Sequence, residues 1–250
     1  MKKAVLITGA SGGSGLRIAQ EFADHGYAVF VTSRDGEKAL ASARLLEAQY
    51  GCFAKGYALG TEDEQQVLDV FADIRAEGYL LSALVLNSAD LGIGMDPLTV
   101  PLQDWMRVIQ TNLGWNFSIA RQAAIQMKEN GGGAIVFTSS NTSRRAIKNR
   151  SAYIASKGGL ISLAKALAVD LGEYRIRVNC ILPGSIKTVR WDACSPEIQE
   201  SRLNRVPLKD IADFEDLAHA AYFLASEQSK NITGTELVID GGVDCQLFPG

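Results

Sequence analysis

Short apolar runs alternate with longer stretches of helical periodicity along most of this 250-residue chain. The runs KAVLIT, ALVLN and AIVFTS are apolar nearly throughout, which is typical of strands that are covered on both faces. Strands are predicted near residues 3–8, 28–33, 53–58, 82–87, 133–138, 176–181 and 236–239. Helices are predicted near residues 14–25, 37–49, 62–76, 101–128, 151–172 and 213–225. This alternation predicts an α/β fold, a doubly wound parallel sheet of seven strands.

The chain is expected to form one domain over residues 1–250. It has no internal repeat of solenoid length and no linker rich in glycine, serine or proline. Its least regular part is 183–212. A long irregular segment that follows the carboxyl end of a strand is often functional, so this segment is predicted to form a substrate lid.

Composition argues against several classes of function. The net charge is −3, and without a basic excess the chain is not expected to bind nucleic acid. The four cysteines and two histidines lack the spacing of metal ligands, so no metal site is expected. The first apolar run is too short for a signal peptide, and no apolar stretch approaches the length of a membrane span. A cytoplasmic protein is therefore predicted.

A glycine-rich segment, TGASGGSG at residues 8–15, joins the first strand directly to the first helix. Glycine allows the tight turn and lets the backbone approach a pyrophosphate, towards which the first helical amides point. The segment lacks the lysine and hydroxyl pair of a P-loop. It predicts a dinucleotide site in a Rossmann-like fold, and its cofactor-binding candidates are Gly9, Ser11, Gly13, Ser14 and Gly15.

The end of the second strand bears on the choice of dinucleotide. An acidic residue there accepts the ribose hydroxyls of NAD, whereas an arginine pairs with the 2′-phosphate of NADP. Ser33 and Arg34 occupy this position, which favours NADP(H). Asp35 is the next residue, so a competing interpretation is that Asp35 takes the position facing the ribose and the cofactor is NAD(H). A third interpretation is that Arg34 and Asp35 form an ordinary solvated ion pair.

Tyr153 and Lys157 are four residues apart in the segment SAYIASKGG. In a helix they share one face, and a nearby ammonium lowers the pKa of a phenol, which would make Tyr153 a general acid and base. Ser140 ends the strand AIVFTSS thirteen residues earlier. Open α/β sheets bind ligands at this edge, where the Ser140 hydroxyl can donate a hydrogen bond to a substrate oxygen.

Several motifs in one order resemble the short-chain dehydrogenase/reductase family, over essentially the whole chain. TGASGGSG matches the family's TGxxxGxG, and Ser140 with YIASK matches its active-site serine and YxxxK. Asn112 in TNLGWN stands where the family has a fourth catalytic residue. RVNCILPG and ITGTELVIDGG resemble the family's segments near the C-terminus.

The resemblance implies an oxidoreductase that interconverts a carbonyl and a secondary alcohol by hydride transfer with a nicotinamide cofactor. Tyr153 would exchange the proton, Lys157 would hold the nicotinamide ribose and lower the pKa of Tyr153, and Ser140 would polarise the carbonyl. Asn112 would anchor a water that links Lys157 to solvent, although an asparagine bonding backbone at a helix bend is compatible with its position. The resemblance adds these cofactor contacts to Tyr153 and Lys157: Asn87, Ala89, Pro183, Gly184, Ile186 and Thr188.

The chain departs from the family pattern at two positions. The family's NNAG is NSAD here, so Asp90 replaces a glycine close to the cofactor and either shapes the pocket or caps a loop. Gly60 stands where an aspartate usually contacts the adenine. Neither change alters the serine, tyrosine and lysine.

Cations crowd the segment between Ser140 and Tyr153, with no acid among them. They would attract an anionic substrate or an acidic carrier protein, or would form a solvated face. They are Arg144, Arg145, Lys148 and Arg150.

Motifs shared by a whole family do not name a substrate. A 3-oxoacyl thioester (acyl carrier protein) reductase, a sugar, polyol or steroid alcohol dehydrogenase and a non-catalytic dinucleotide-binding regulatory protein are the alternatives. Ile147 and Trp191 are candidate substrate contacts. The helices at 101–128 and 151–172 look like those that pair subunits in the family, which implies a homotetramer or homodimer.

Overall fold

The computed structural model describes residues 3–60 and 63–247. Its strands all run parallel in one sheet of order β3-β2-β1-β4-β5-β6-β7. They are β1 (Ala4–Ile7), β2 (Ala28–Ser33), β3 (Ala54–Ala58), β4 (Ala83–Leu86), β5 (Gly133–Thr138), β6 (Ile176–Pro183) and β7 (Glu236–Ile239). The predicted fold class is confirmed, and each predicted strand lies within two residues of its observed bounds.

Helices cover both faces of this sheet within the described residues. They are α1 (Gly13–Asp24), α2 (Gly36–Tyr50), α3 (Glu64–Ala76), α4 (Leu102–Ile109), α5 (Trp115–Glu129), α6 (Ser151–Asp170), α7 (Val189–Asp192), α8 (Pro196–Leu203) and α9 (Phe214–Ala225). The prediction started the third helix at residue 62, which lies outside the described residues.

Alternate residues of each strand supply two separate hydrophobic layers. On β1, Ala4 and Leu6 pack with the layer under α3, α5 and α6, while Val5 and Ile7 pack with the layer under α1, α2 and α9. All four side chains are fully buried. Burial on both faces explains why the strands of this sheet are apolar runs without alternation.

The strand order reverses between β1 and β4, because β2 and β3 extend to one side and β5 to β7 to the other. Loops that leave the carboxyl ends of β1 and β4 part in opposite directions, so a crevice opens between them. The glycine-rich segment follows β1, and Asn87 follows β4, so both lie at this crevice.

The structure corrects the helix predicted over 101–128. It is divided into α4 and α5 by a π-helical turn over Gln110–Gly114. The wider turn accommodates one extra residue, and such insertions are frequent at functional sites. Asn112 lies inside it and is fully buried.

The segment at 183–212 is less irregular than predicted, because it contains α7 and α8. Its ends are joined by a parallel bridge between Ile186 and Ala212, and the Lys187 amide donates to the Ala212 carbonyl at 2.9 Å. Local helices in this segment escaped prediction because each is at most eight residues long.

Among the described helices, α6 alone is long and apolar enough by composition to cross a membrane. Its mean hydropathy is 1.2 over the relevant window. In the structure it packs on β5 and β6 of the sheet and carries the buried Lys157. The core helix of an α/β layer passes the same compositional test.

Candidate active site

The turn between β1 and α1 is shaped to receive a phosphate group. Gly9 has φ +66°, and a Cβ on Gly15 would lie 2.2 Å from the Gly9 carbonyl oxygen, so both positions require glycine. Gly12, which precedes α1, offers no side-chain hydrogen bond to cap the helix. The first amides of α1 are thus open to an anion, and this turn fits the pyrophosphate of a dinucleotide.

Thr8 and Asn87 tie this turn to the end of β4. The Thr8 hydroxyl oxygen accepts from the amides of Asn87 and Ser88 at 3.0 and 3.2 Å. Ser14 in turn donates its hydroxyl to the Asn87 side-chain oxygen at 3.1 Å. Asn87 therefore holds the two sides of the crevice together, and Ser14 is engaged by the protein in this arrangement.

A cavity of about 930 Å³ extends from this turn along the carboxyl edge of β2 and β4. Six of the predicted cofactor contacts line it, namely Gly9, Ser11, Ser33, Arg34, Asn87 and Ala89. The walls also include residues that the sequence argument missed, among them Asp63, Gln66, Arg107 and Thr111. Only their proximity in space identifies them, because they come from the start of α3, from α4 and from the π-helical turn.

Arg34 and Asp35 have separate environments. The Asp35 carboxylate accepts from the Lys38 amide at 3.2 Å at the start of α2 and lies 3.5 Å from the Lys38 ammonium. Arg34 is exposed at the cavity and forms no ion pair with any residue in the described ranges. The guanidinium is therefore free to meet an anionic group of a bound nucleotide.

Asn112 clamps the loop after β4 to the π-helical turn. Its side-chain oxygen accepts from the Asp90 amide at 2.7 Å, and its side-chain nitrogen donates to the Asp90 carbonyl at 2.8 Å. The same nitrogen donates to Ser156 on α6 at 3.0 Å. The Asn112 carbonyl accepts from Asn116 at 2.6 Å. Asn112 thus connects three elements at the crevice.

The Asp90 side chain caps its own loop and also forms an ion pair with a residue of α4. One carboxylate oxygen accepts from the Gly92 amide at 2.9 Å, and the other forms an ion pair with Arg107 on α4. Both alternatives raised for Asp90 hold, because it caps the loop and its side chain lines the cavity.

Lys157 and Ser140 are held by β5 and the turn that follows it. The Lys157 ammonium donates to the Thr138 carbonyl at 2.6 Å, and the Lys157 carbonyl accepts from Ser139 at 2.8 Å. Ser140 accepts a hydrogen bond from the Thr142 hydroxyl at 2.9 Å. These contacts align the start of α6 with the carboxyl end of β5.

Tyr153 lies beside Ser140 and between charged groups. Burial raises the pKa of its phenol, while a hydrogen bond with Ser140 and the charges of Arg150 and Arg190 lower it, and the net direction is upward. The sequence argument predicted a pKa lowered by Lys157, which is wrong for this structure. The Lys157 ammonium lies 5.6 Å from the centre of the Tyr153 ring, and it is Lys157 whose pKa falls, to about 8, because it is fully buried.

The remaining predicted cofactor contacts cluster at the end of β6. Gly184 donates its amide to the Ile239 carbonyl at 2.9 Å, so the turn after Pro183 is fixed to β7. Ile186 and Thr188 follow at the base of α7. Since β5 and β6 are neighbours in the sheet, this turn lies on the same edge as Ser140.

Two of the four cations of the basic segment are paired with acidic residues. Arg144 forms ion pairs of 2.5 Å with Glu236 and Asp244, and Arg145 lies 3.6 Å from the Asp244 carboxylate. These two arginines bind the C-terminal segment to the loop after Ser140. Their partners are about 100 residues distant in sequence, which is why the pairing could not be predicted.

The two candidate substrate contacts are not brought together with Tyr153 by any described contact. Ile147 is 47% exposed. Trp191 is half-buried in α7, where its carbonyl accepts from Gln199 at 2.9 Å. Their contact with a substrate stays a prediction.

Fold and site together define a dinucleotide-binding α/β oxidoreductase. A family model described as "Enoyl-(Acyl carrier protein) reductase" matches residues 9–244. The chain is 33% identical to the 3-oxoacyl-acyl-carrier-protein reductase of Chlamydia trachomatis, over 97% of this chain and 98% of that protein. It is 33% identical to L-rhamnose 1-dehydrogenase (NAD(P)(+)) of Azotobacter vinelandii, over 98% of each chain.

A solved structure gives the same result for the fold. A putative gluconate dehydrogenase from Agrobacterium tumefaciens superposes with a TM-score of 0.91 at 30% identity, covering 98% of this chain and 97% of that one. The chain belongs to the short-chain dehydrogenase/reductase family.

Proposed function

We propose that this protein interconverts a carbonyl compound and a secondary alcohol, with Tyr153 as the group that gives and takes the proton. The observation that carries the proposal is the meeting of Tyr153, Ser140 and Lys157 at the sheet edge that also bears the glycine-rich turn and its cavity. A bound nicotinamide supplies the hydride. Intact catalytic side chains count against a purely regulatory dinucleotide-binding protein.

The phenol of Tyr153 can serve as the proton donor in carbonyl reduction. A tyrosine is protonated at neutral pH and so has a proton to donate to the developing alkoxide. Ser140, which hydrogen-bonds with Tyr153, would direct its hydroxyl at the same oxygen. Lys157 would leave the Thr138 carbonyl for the ribose hydroxyls, and Asn112 would anchor the water that returns the proton.

The substrate class is proposed from the relatives and the site together. A 3-oxoacyl thioester (acyl carrier protein) reductase is the first candidate, because relatives of that name match nearly the whole chain at 33–35% identity. A sugar, polyol or steroid alcohol dehydrogenase is the second, and the rhamnose dehydrogenase relative favours a sugar. Ile147 and Trp191 would contact the substrate, and 183–212 would close over it as a lid.

We further propose that NADP(H) is preferred over NAD(H). The free guanidinium of Arg34 at the cavity supports this, and Asp35 is engaged at the start of α2. Thermal unfolding with each oxidised cofactor at equal concentration tests it. NADP should raise the melting temperature more than NAD, and Arg34→Ala should narrow the difference, whereas the matched variant Arg44→Ala on α2 should not. Equal stabilisation of the wild type by both cofactors contradicts the preference.

We also propose that the protein is cytoplasmic and forms a homotetramer or homodimer, with one domain over residues 1–250 in each subunit. Its substrate is a small molecule, and it binds neither nucleic acid nor membrane. All four cysteines are free thiols, which suits a reducing compartment.

A panel of substrates tests the function most directly. Oxoacyl thioesters, sugars, polyols and steroids are supplied with both cofactors, and nicotinamide absorbance is followed. Turnover of one class identifies the substrate, and no turnover of any class with either cofactor contradicts an enzymatic function for this site.

A further inference from the structure

An arginine packs against Tyr153 without a carboxylate partner among the described residues. The Arg150 guanidinium carbon lies 5.0 Å from the centre of the Tyr153 ring, and its buried Nε has no hydrogen-bond partner. The charges of Arg150 and of Arg190, which is on α7, lower the pKa of Tyr153 against the larger effect of burial. Neither guanidinium forms an ion pair in the part of the chain described.

Acidic side chains neutralise the neighbouring arginines of the same loop. Arg144 and Arg145 both reach Asp244. The nearest acid of the crevice, Asp90, is engaged by Arg107. The buried Nε of Arg150 is left without a partner, which is unfavourable, so its guanidinium is available to an anion that binds beside Tyr153.

The backbone holds Arg150 in this position. Asn149 adopts a left-handed conformation with φ +59°, and its carbonyl accepts from the Met95 amide at 3.2 Å. Met95 and Arg150 also form a parallel bridge. Arg150 is the residue immediately before α6 and lies three residues before Tyr153, so its backbone is held next to the turn that carries the phenol.

We propose that the substrate is a short oxo acid, whose carboxylate is bound by Arg150. The carboxylate is bonded directly to the carbonyl carbon in a 2-oxo acid and to the next carbon in a 3-oxo acid. On reduction, the carbonyl carbon gains a hydride from the reduced nicotinamide, the oxygen gains the Tyr153 proton, and the carboxylate is unchanged. The proposal rests on the proposed oxidoreductase function, and it places a free oxo acid ahead of the thioester, which has no charge at that position.

Matched acids and esters test this proposal. Acetoacetate is compared with methyl acetoacetate, and 2-oxobutanoate with its methyl ester, using the reduced cofactor that the enzyme prefers. Wild-type kcat/KM should favour the acid of the better pair by about 10- to 100-fold, the range of a charge-assisted hydrogen bond. Arg150→Gln should remove that preference chiefly by lowering the value for the acid.

Two further variants separate charge from packing. Arg150→Lys keeps the cation and should retain most of the preference for the acid, while Arg44→Gln, an exposed arginine on α2, should leave it unchanged. The proposal is overturned if wild-type enzyme reduces the esters as well as the acids. It is also overturned if Arg150→Gln lowers both to the same extent, which would make Arg150 a packing partner of the Tyr153 ring.

A failure of the proposed oxidoreductase function can be distinguished from a failure of the carboxylate site. If neither acids nor esters are reduced, the carboxylate site is tested by thermal unfolding with acetoacetate in the presence of the oxidised cofactor. Stabilisation of the wild type but not of Arg150→Gln supports the carboxylate site even then. No stabilisation of the wild type overturns it.

Discussion

Lys157 is a buried ammonium whose described hydrogen-bond partner is one backbone carbonyl. It is 2% exposed, and burial lowers its pKa from 10.5 to about 8. At neutral pH the side chain is charged in both the folded and the unfolded chain, so the folded chain carries the full cost of burying the charge. The position of Lys157 is therefore explained by function, because stability alone opposes it.

This cost predicts a stabilising substitution at the active site. Lys157→Met should raise the free energy of unfolding of the cofactor-free protein at pH 7 by about 1–3 kcal/mol, after allowance for the lost hydrogen bond to Thr138. The unfolded chain binds more protons at this residue between pH 8 and 10.5, so the wild type gains stability as pH rises through that window. The difference in free energy of unfolding between Lys157→Met and the wild type should therefore decrease as the pH rises from 8 to 10.5.

Urea denaturation at pH 7 and at pH 10 measures both effects. Lys230→Met, at an exposed lysine, provides the control and should show no such pH-dependent difference from the wild type. A Lys157→Met protein that is less stable than the wild type at pH 7, or whose advantage is the same at pH 10, would contradict the account of Lys157.

The same residues show where sequence reasoning succeeds and fails at this scale. Tyr153, Lys157 and Ser140 were predicted to lie together, because helical spacing and strand ends fix where the backbone carries them. The direction of the pKa shift of Tyr153 was not predicted correctly. The direction is set by burial of the phenol, which outweighs the charges of Arg150 and Arg190 and depends on tertiary packing.

At the scale of elements, the link between α4 and the loop after β4 was not visible in the sequence. The helix over 101–128 was predicted without interruption, because its apolar periodicity continues through the π-helical turn. The turn is set by tertiary hydrogen bonds of Asn112 to Asp90 and Ser156. Local propensity contains no information on such contacts.

The Asp90–Arg107 ion pair gives a test of this link. The Asp90 side chain is 25% exposed and that of Arg107 51%, so the pair is expected to contribute about 0.2–1 kcal/mol, more at low salt. A double-mutant cycle with Asp90→Asn and Arg107→Gln, followed by urea denaturation, should yield a coupling energy of that size. Asparagine keeps an acceptor for the Gly92 amide, so the cycle measures the interaction between the charges of Asp90 and Arg107.

Asp96→Asn is the control for this cycle. Asp96 lies in the same connection and accepts from the Leu98 amide at 3.0 Å. Paired with Arg107→Gln, it should show no coupling. A coupling energy of zero for Asp90 and Arg107 at low salt would contradict the ion pair.

At the scale of the whole molecule, the architecture was predictable and the surface was not. Continuous apolar runs identify strands buried on both faces, and the order of motifs then assigns the carboxyl edge as the site. The outer surfaces of α4 and α5 retain large apolar side chains, which intrachain packing does not explain. They are Leu102, Met106, Phe117 and Ile125, each at least 42% exposed.

This apolar surface is expected to pair subunits. Phe117→Glu should lower the molar mass in solution, because it places a charge in the subunit contact. Leu45→Glu is a matched control, since Leu45 is 43% exposed on α2, while Phe117 is 42% exposed on α5. Light scattering after size-exclusion chromatography measures the mass. A monomeric wild type, or a Phe117→Glu protein of unchanged mass, would contradict this expectation.

The central claim is that Tyr153 transfers the proton in a nicotinamide-dependent carbonyl reaction. The decisive measurement is the rate of carbonyl-dependent oxidation of the reduced cofactor by Tyr153→Phe, with cofactor affinity determined on the same sample. Tyr174→Phe, at a tyrosine near the opposite end of β6, controls for the loss of a hydroxyl. We predict that Tyr153→Phe binds the cofactor but loses nearly all turnover, while Tyr174→Phe retains it. Substantial turnover by Tyr153→Phe would contradict the claim.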